Sequence, residues 1–105
     1  MIFIETSIFT KEIIRLLPDG DYRVLQQQLI VNPALGVLIP NSHGLRKMRF
    51  GIQGSGKRGG LRVIYYWDVA QETIYMLLPY RKSEKEDLSR DQIKVLSQWV
   101  EACLE

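Results

Sequence analysis

The chain has 105 residues, a formal net charge of +2, 46% apolar residues and 25% charged residues. That balance is globular and predicts a single domain over residues 1–105, with enough chain for one modest core and too little for two. A lone cysteine, Cys103, excludes an internal disulfide, and with a single histidine, His43, an ordinary protein-only zinc set is not expected.

The opening Met1-Ile-Phe-Ile4 is β-rich and reads as a short strand. It lacks a basic lead and meets Glu5 at once, so no signal peptide is expected. No apolar run approaches the roughly 20 residues of a membrane helix, and the expected compartment is the cytosol. Thr6 or Ser7 caps a first helix with Phe9, Ile13, Leu16 and Leu17 on one stripe. Pro18-Asp19-Gly20 stops it. A second helix starts at Asp19 or Asp21, carries Tyr22, Leu25 and Leu29 on its inner side, and ends before Pro33. With almost no link between them, the two helices form an antiparallel hairpin.

Residues 34–43 read as loop, followed by strands at 45–50, 61–67 and 73–80, the last two joined by a short turn at Asp68–Glu72. Ser83-x-x-Glu86 and Ser89-x-x-Gln92 are capping-box patterns. The second opens a helix with Ile93, Leu96, Val100 and Cys103 on one stripe. The order β-α-α-β-β-β-α predicts an α+β fold, a mostly antiparallel sheet with the helical hairpin packed on one face.

Charge is unevenly distributed. Between Tyr22 and Trp67 there is no Asp or Glu, whereas Arg23, Arg46, Lys47, Arg49, Lys57, Arg58 and Arg62 all fall there. Such a patch is the electrostatic footprint of a polyanion binder. Within it, Gly51-x-x-x-x-Gly56-Lys57 has P-loop spacing and Gly54-x-Gly56-x-x-Gly59 has dinucleotide-turn spacing. Both motifs require a helix to follow. Here Arg58 stands where a P-loop needs Ser or Thr, and Leu61-Arg-Val-Ile-Tyr-Tyr-Trp67 reads as strand. The glycine stretch is therefore expected to be a basic strand-to-strand loop, with Lys57 and Arg58 at its tip.

Strand alternation puts Lys47 and Arg49 on one face and Arg46, Met48 and Phe50 on the other. The next strand likewise puts Arg62, Ile64 and Tyr66 on one face. With the hairpin on the opposite side, Lys47, Arg49, Arg62 and Tyr66 are expected on an open face that suits RNA, phosphates pairing with Arg and bases stacking on Tyr. Arg81-Lys82 ends the last strand, where an antiparallel neighbour brings it near the start of strand 61–67.

The GLRKMRF strand, the GSGKRGGLRVIYYW loop and strand, and the YRKSEKEDL segment resemble the RelE/HigB superfamily of type II toxin–antitoxin toxins. The resemblance spans nearly the whole chain, and GKRGGLRVIYYW is its most specific piece. It implies a RelE-like fold and a cytoplasmic mRNA endoribonuclease acting in the ribosomal A site without metal or cofactor. It also implies a cognate antitoxin, often a helix-turn-helix protein. By resemblance, Arg62 matches the arginine of an R-x-x-Y strand motif that stabilises the transition state. Lys57 and Arg58 match the basic loop before it, and Lys82 a basic position after the last strand. Lys57, Arg62 and Lys82 are thus the catalytic candidates, and Lys47, Arg49, Arg58, Tyr66, Tyr80 and Arg81 the RNA-binding ones. The chain departs from some members at Ser83, where they carry arginine, and at Leu88 and Ser89, where they carry a stacking tyrosine. Tyr66 or Tyr80 is the replacement stacking candidate. A non-catalytic RNA- or ribosome-binding module using the same basic face is the alternative reading.

Overall fold

A computed structural model describes residues 1–51, 60–85 and 87–104. Its elements are β1 (Ile2–Glu5), α1 (Ser7–Leu16), α2 (Asp19–Val31), β2 (Val37–Leu38), β3 (Leu45–Phe50), β4 (Leu61–Asp68), β5 (Thr73–Arg81) and α3 (Arg90–Leu104). The five strands form one sheet in the order β1-β5-β4-β3-β2. Among the described residues only the β1–β5 pairing is parallel, so the expected α+β architecture with a mostly antiparallel sheet is what the chain adopts.

Local chemistry explains the boundaries. Thr6 is the cap of α1: its hydroxyl accepts from the Phe9 N–H at 3.0 Å and donates to the Leu77 carbonyl at 2.8 Å, tying the helix start to β5. The Ser89/Gln92 capping box forms in both directions, with Ser89 N–H to Gln92 Oε1 at 2.9 Å and Gln92 N–H to Ser89 Oγ at 3.2 Å. Ser83 lies in a turn, and no helix follows it directly among the described residues. Glu72 takes a left-handed φ of 49° in the β4–β5 turn.

One core lies between the helical hairpin and the sheet. Phe9, Leu25, Leu29, Leu61, Val63, Tyr65, Ile74 and Met76 are fully enclosed there. The apolar stripes expected on α1 and α2 point into it, with Tyr22 half-buried at the margin. There its hydroxyl donates to Glu5.

The opposite face is not open. A second cluster joins Leu45, Ile64, Tyr75, Leu77, Tyr80, Leu88 and Val100, with Ile93, Leu96 and Trp99 of α3 packed on it. Trp99 meets Tyr75 edge-on at 5.9 Å between ring centroids, and Ser97 Oγ donates to the Ser42 carbonyl at 2.7 Å. The stripe on α3 is as expected except at its end, where Cys103 is exposed.

The segment expected to be loop contains β2, which pairs Val37 with Lys47 and Leu38 with Arg46. Two groups pin its approach. Tyr65 Oη accepts from Gly36 N–H at 2.8 Å and donates to the Pro33 carbonyl at 2.7 Å. A Cβ on Gly36 would lie 2.8 Å from the Tyr65 ring, so the close approach requires glycine. Arg46 also bonds the Gly36 carbonyl, at 2.8 Å. It is thereby engaged in structure and subtracted from the basic patch.

Candidate nucleic-acid interface

Register decides which cations meet. Arg49 pairs directly with Arg62, and Arg62 pairs directly with Tyr80, so Arg49, Arg62 and Tyr80 form one row across β3, β4 and β5 on the α3 face. The next row holds Lys47 opposite Ile64. Like charges directly opposite on a sheet are destabilising, so nothing in the folding energy favours this pair. Arg62 is 8% exposed, whereas Arg49 is exposed. Among the described residues, no acidic group lies within 4 Å of either guanidinium.

Lys47 behaves differently. Its ammonium lies 3.0 Å from Asp87 Oδ1, a carboxylate delivered by the segment leading into α3. Asp87 is the acid that sequence reasoning left out of the site. Its neighbours in KSEKEDL alternate in charge, and only the tertiary path of that segment brings it to the cationic face.

Tyr80 is nearly enclosed, and its buried hydroxyl has no hydrogen-bond partner among the described residues. Burial pushes its pKa up, the nearby Asp87 charge adds to the shift, and Arg62 opposes it. It is therefore a neutral phenol across the physiological range. Tyr66 shares the face as expected but is half-buried, tilted against Tyr75 at 6.4 Å between centroids. The left-handed turn residue Gly44, at φ 103°, passes so close that a Cβ there would sit 3.0 Å from the Tyr66 ring. Both tyrosines expected to stack on bases are thus packed into the α3 side, because that helix covers the face expected to be open.

Arg81 pairs with Leu61 and so projects to the hairpin side, away from Arg62. Its Nε is buried and has no partner among the described residues. Lys82 does meet the start of β4: its N–H donates to the Gly60 carbonyl at 3.2 Å, with its side chain exposed. Lys57 and Arg58 fall outside the described residues. The strand beginning at Leu61 removes the helix that either glycine motif would need. Among the described residues no group of three His, Cys, Asp or Glu side chains is placed to hold a metal. No helix of the described residues is long and apolar enough to cross a membrane.

No family model matches the chain. Among solved structures, the fold is similar to that of an arginine-to-alanine double variant of the E. coli toxin RelE in the free state. The identity is 15%, the TM-score 0.56, and the match covers 81% of this chain and 86% of that one. At that identity the likeness establishes the fold, and the fold is RelE-like.

Proposed function

We propose that the protein is the toxin of a type II toxin–antitoxin system, cleaving mRNA in the ribosomal A site. The reaction needs no metal. The 2′-OH beside the scissile bond attacks its own phosphorus and loses its proton, the P–O5′ bond breaks, and the products are a 2′,3′-cyclic phosphate and a 5′-OH. The observation that carries this reading is the in-register Arg49–Arg62 pair. Two guanidiniums held on rigid strands offer a bidentate grip on phosphate oxygens where charge grows in the phosphorane. The RelE-like fold supports the same reading. Arg62, Lys57 and Lys82 are the proposed catalytic residues, with Lys47, Arg49 and Arg58 drawing the RNA backbone into place. The proposed partners are A-site mRNA and a cognate antitoxin, probed by co-expression with the adjacent reading frame.

A second reading has its own support. The site's buried phenol, Tyr80, is a poor base, and Leu88 occupies a position where some toxins carry a tyrosine. A non-catalytic ribosome-binding module would use the same cations. Induced expression with mapping of mRNA 5′ ends separates the two. Discrete cuts inside codons are expected of the toxin, and growth inhibition without new 5′ ends would leave only the binding module.

A further inference from the structure

One row beyond the arginine pair, between the β2–β3 edge and the start of α3, the α3 face opens into a cavity of about 340 Å³. This is within the roughly 300–1,000 Å³ range of small-molecule sites. Its walls are aliphatic, formed by Leu38, Ile39, Ile64 and Ile93, and among the described residues Lys47 and Asp87 bring charge to it. Leu38 is 54% exposed, although its side chain borders a ready-made apolar slot.

Its position relative to the arginines is set by the strands. Ile64 and Lys47 form the row two residues along from Arg62 and Arg49. At about 3.3 Å per residue the rows are separated by roughly the span from a nucleotide's phosphate to its own base. A phosphate on the arginine row therefore brings its base to the cavity, whose aliphatic lining can take up a ring. The chemistry of the mouth selects among rings. Lys47 holds Asp87 through Oδ1 at 3.0 Å, and the Asp87 side chain remains 72% exposed. Among the described residues Lys47 bonds only Oδ1, so the second oxygen can accept from an incoming donor. A carboxylate can only accept, and among the four bases guanine alone offers two adjacent donors on one edge, N1–H and the N2 amino group.

We propose that this cavity is a nucleobase subsite selecting guanine, with Asp87 reading the guanine N1–H and N2 amino edge and Lys47 orienting the carboxylate. The proposal rests on the arginine row being a phosphate site and deepens the RNA reading by giving it a base preference. Bidentate matches of this kind discriminate by roughly tenfold or more.

The test is a titration of methyl-labelled full-length protein with the 3′- and 5′-monophosphates of all four nucleosides, followed by NMR. GMP is expected to move the methyl signals of Leu38, Ile39, Ile64 and Ile93 and to bind about tenfold more tightly than UMP. In Asp87→Asn, whose amide both donates and accepts, the preference should pass from GMP to AMP while inorganic phosphate binds as before. Silent methyls with every nucleotide, or the same ranking in wild type and Asp87→Asn, would overturn the subsite. Cleavage assayed separately keeps the two readings apart. Guanine preference without cleavage removes the nuclease and leaves the pocket, and cleavage without base preference removes the pocket and leaves the nuclease.

Discussion

The hairpin side of the sheet and the α3 side are built on the same strands, yet only the first is uniformly apolar at its centre. On the hairpin side, Phe9, Leu25, Leu29, Val63 and Tyr65 close a dry core, and the phenols there are matched, Tyr65 by Gly36 and Pro33 and Tyr22 by Glu5. The α3 side is divided. Where Leu45, Tyr66, Tyr75 and Trp99 meet it packs like a core. Two rows away it carries Arg62 beside Arg49 and a phenol with no partner among the described residues. Natural chains tolerate local conflicts of this kind at functional sites, where a ligand resolves what the fold does not.

Substitutions can break or sharpen that contrast. Phe9→Ala should cost about 3–5 kcal/mol, the range for a large aromatic removed from a closed core, and urea denaturation should show it as a fall in midpoint. A decrease under about 1 kcal/mol, well below that range, would mean the hairpin core is not closed as described. Tyr80→Phe should act in the opposite sense. An unpartnered buried hydroxyl costs about 1–3 kcal/mol, so its removal should raise the same midpoint. A fall would imply that the hydroxyl has a partner in solution.

The sequence exposed this contrast only in part. The strand at 45–50 was readable to the residue, and the neighbouring strands to within one, because their alternation is undisturbed by glycine or proline up to Pro79. The stripes of α1 and α2 were readable because Phe9, Ile13, Leu16, Leu25 and Leu29 recur at helical spacing. Two-residue β2 was not, since Val37-Leu38 has no alternation to detect and owes its position to Tyr65 and Arg46 from strands further along. Nor was the cover over Tyr66 and Tyr80. The apolar stripe of α3 was visible, but nothing local in it says which sheet face it will cover. The Lys47–Asp87 ion pair, 40 residues apart, is invisible for the same reason.

A smaller effect is expected at the charged row. Arg49→Thr removes one of two opposed like charges and should stabilise the fold by about 0.2–1 kcal/mol. The same change should weaken RNA binding and flatten its salt dependence, by a slope of roughly one for each phosphate no longer neutralised. Stability unchanged or reduced would mean that the two guanidiniums already share a counterion in solution.

The effect of pH is smallest near neutrality, and both faces share it. Tyr22 and Tyr65 on the hairpin side, and Tyr75 and Tyr80 on the α3 side, all have pKa values raised, chiefly by burial. A folded phenol with a raised pKa keeps its proton while the unfolded chain loses it at about 10. The contribution of these phenols should therefore be level from neutrality up to that pH and fall as pH rises past it. Denaturation midpoints measured from neutrality into the alkaline range, through about pH 10, follow this fall, and Tyr22→Phe should reduce the slope. A flat profile would contradict the burial of these hydroxyls.

Single-turnover cleavage of a programmed ribosome complex, comparing wild type with Arg62→Ala and Arg62→Lys, tests most directly whether the arginine row is the reacting centre. Removing one preorganised charge-stabilising donor typically lowers rate by about 10²–10³. Arg62→Ala should show that drop while co-sedimenting with ribosomes as wild type does. Arg62→Lys should recover little, since it keeps the charge but not the planar fork. Cleavage by Arg62→Ala within a few-fold of wild type would contradict the account and move the chemistry away from this face.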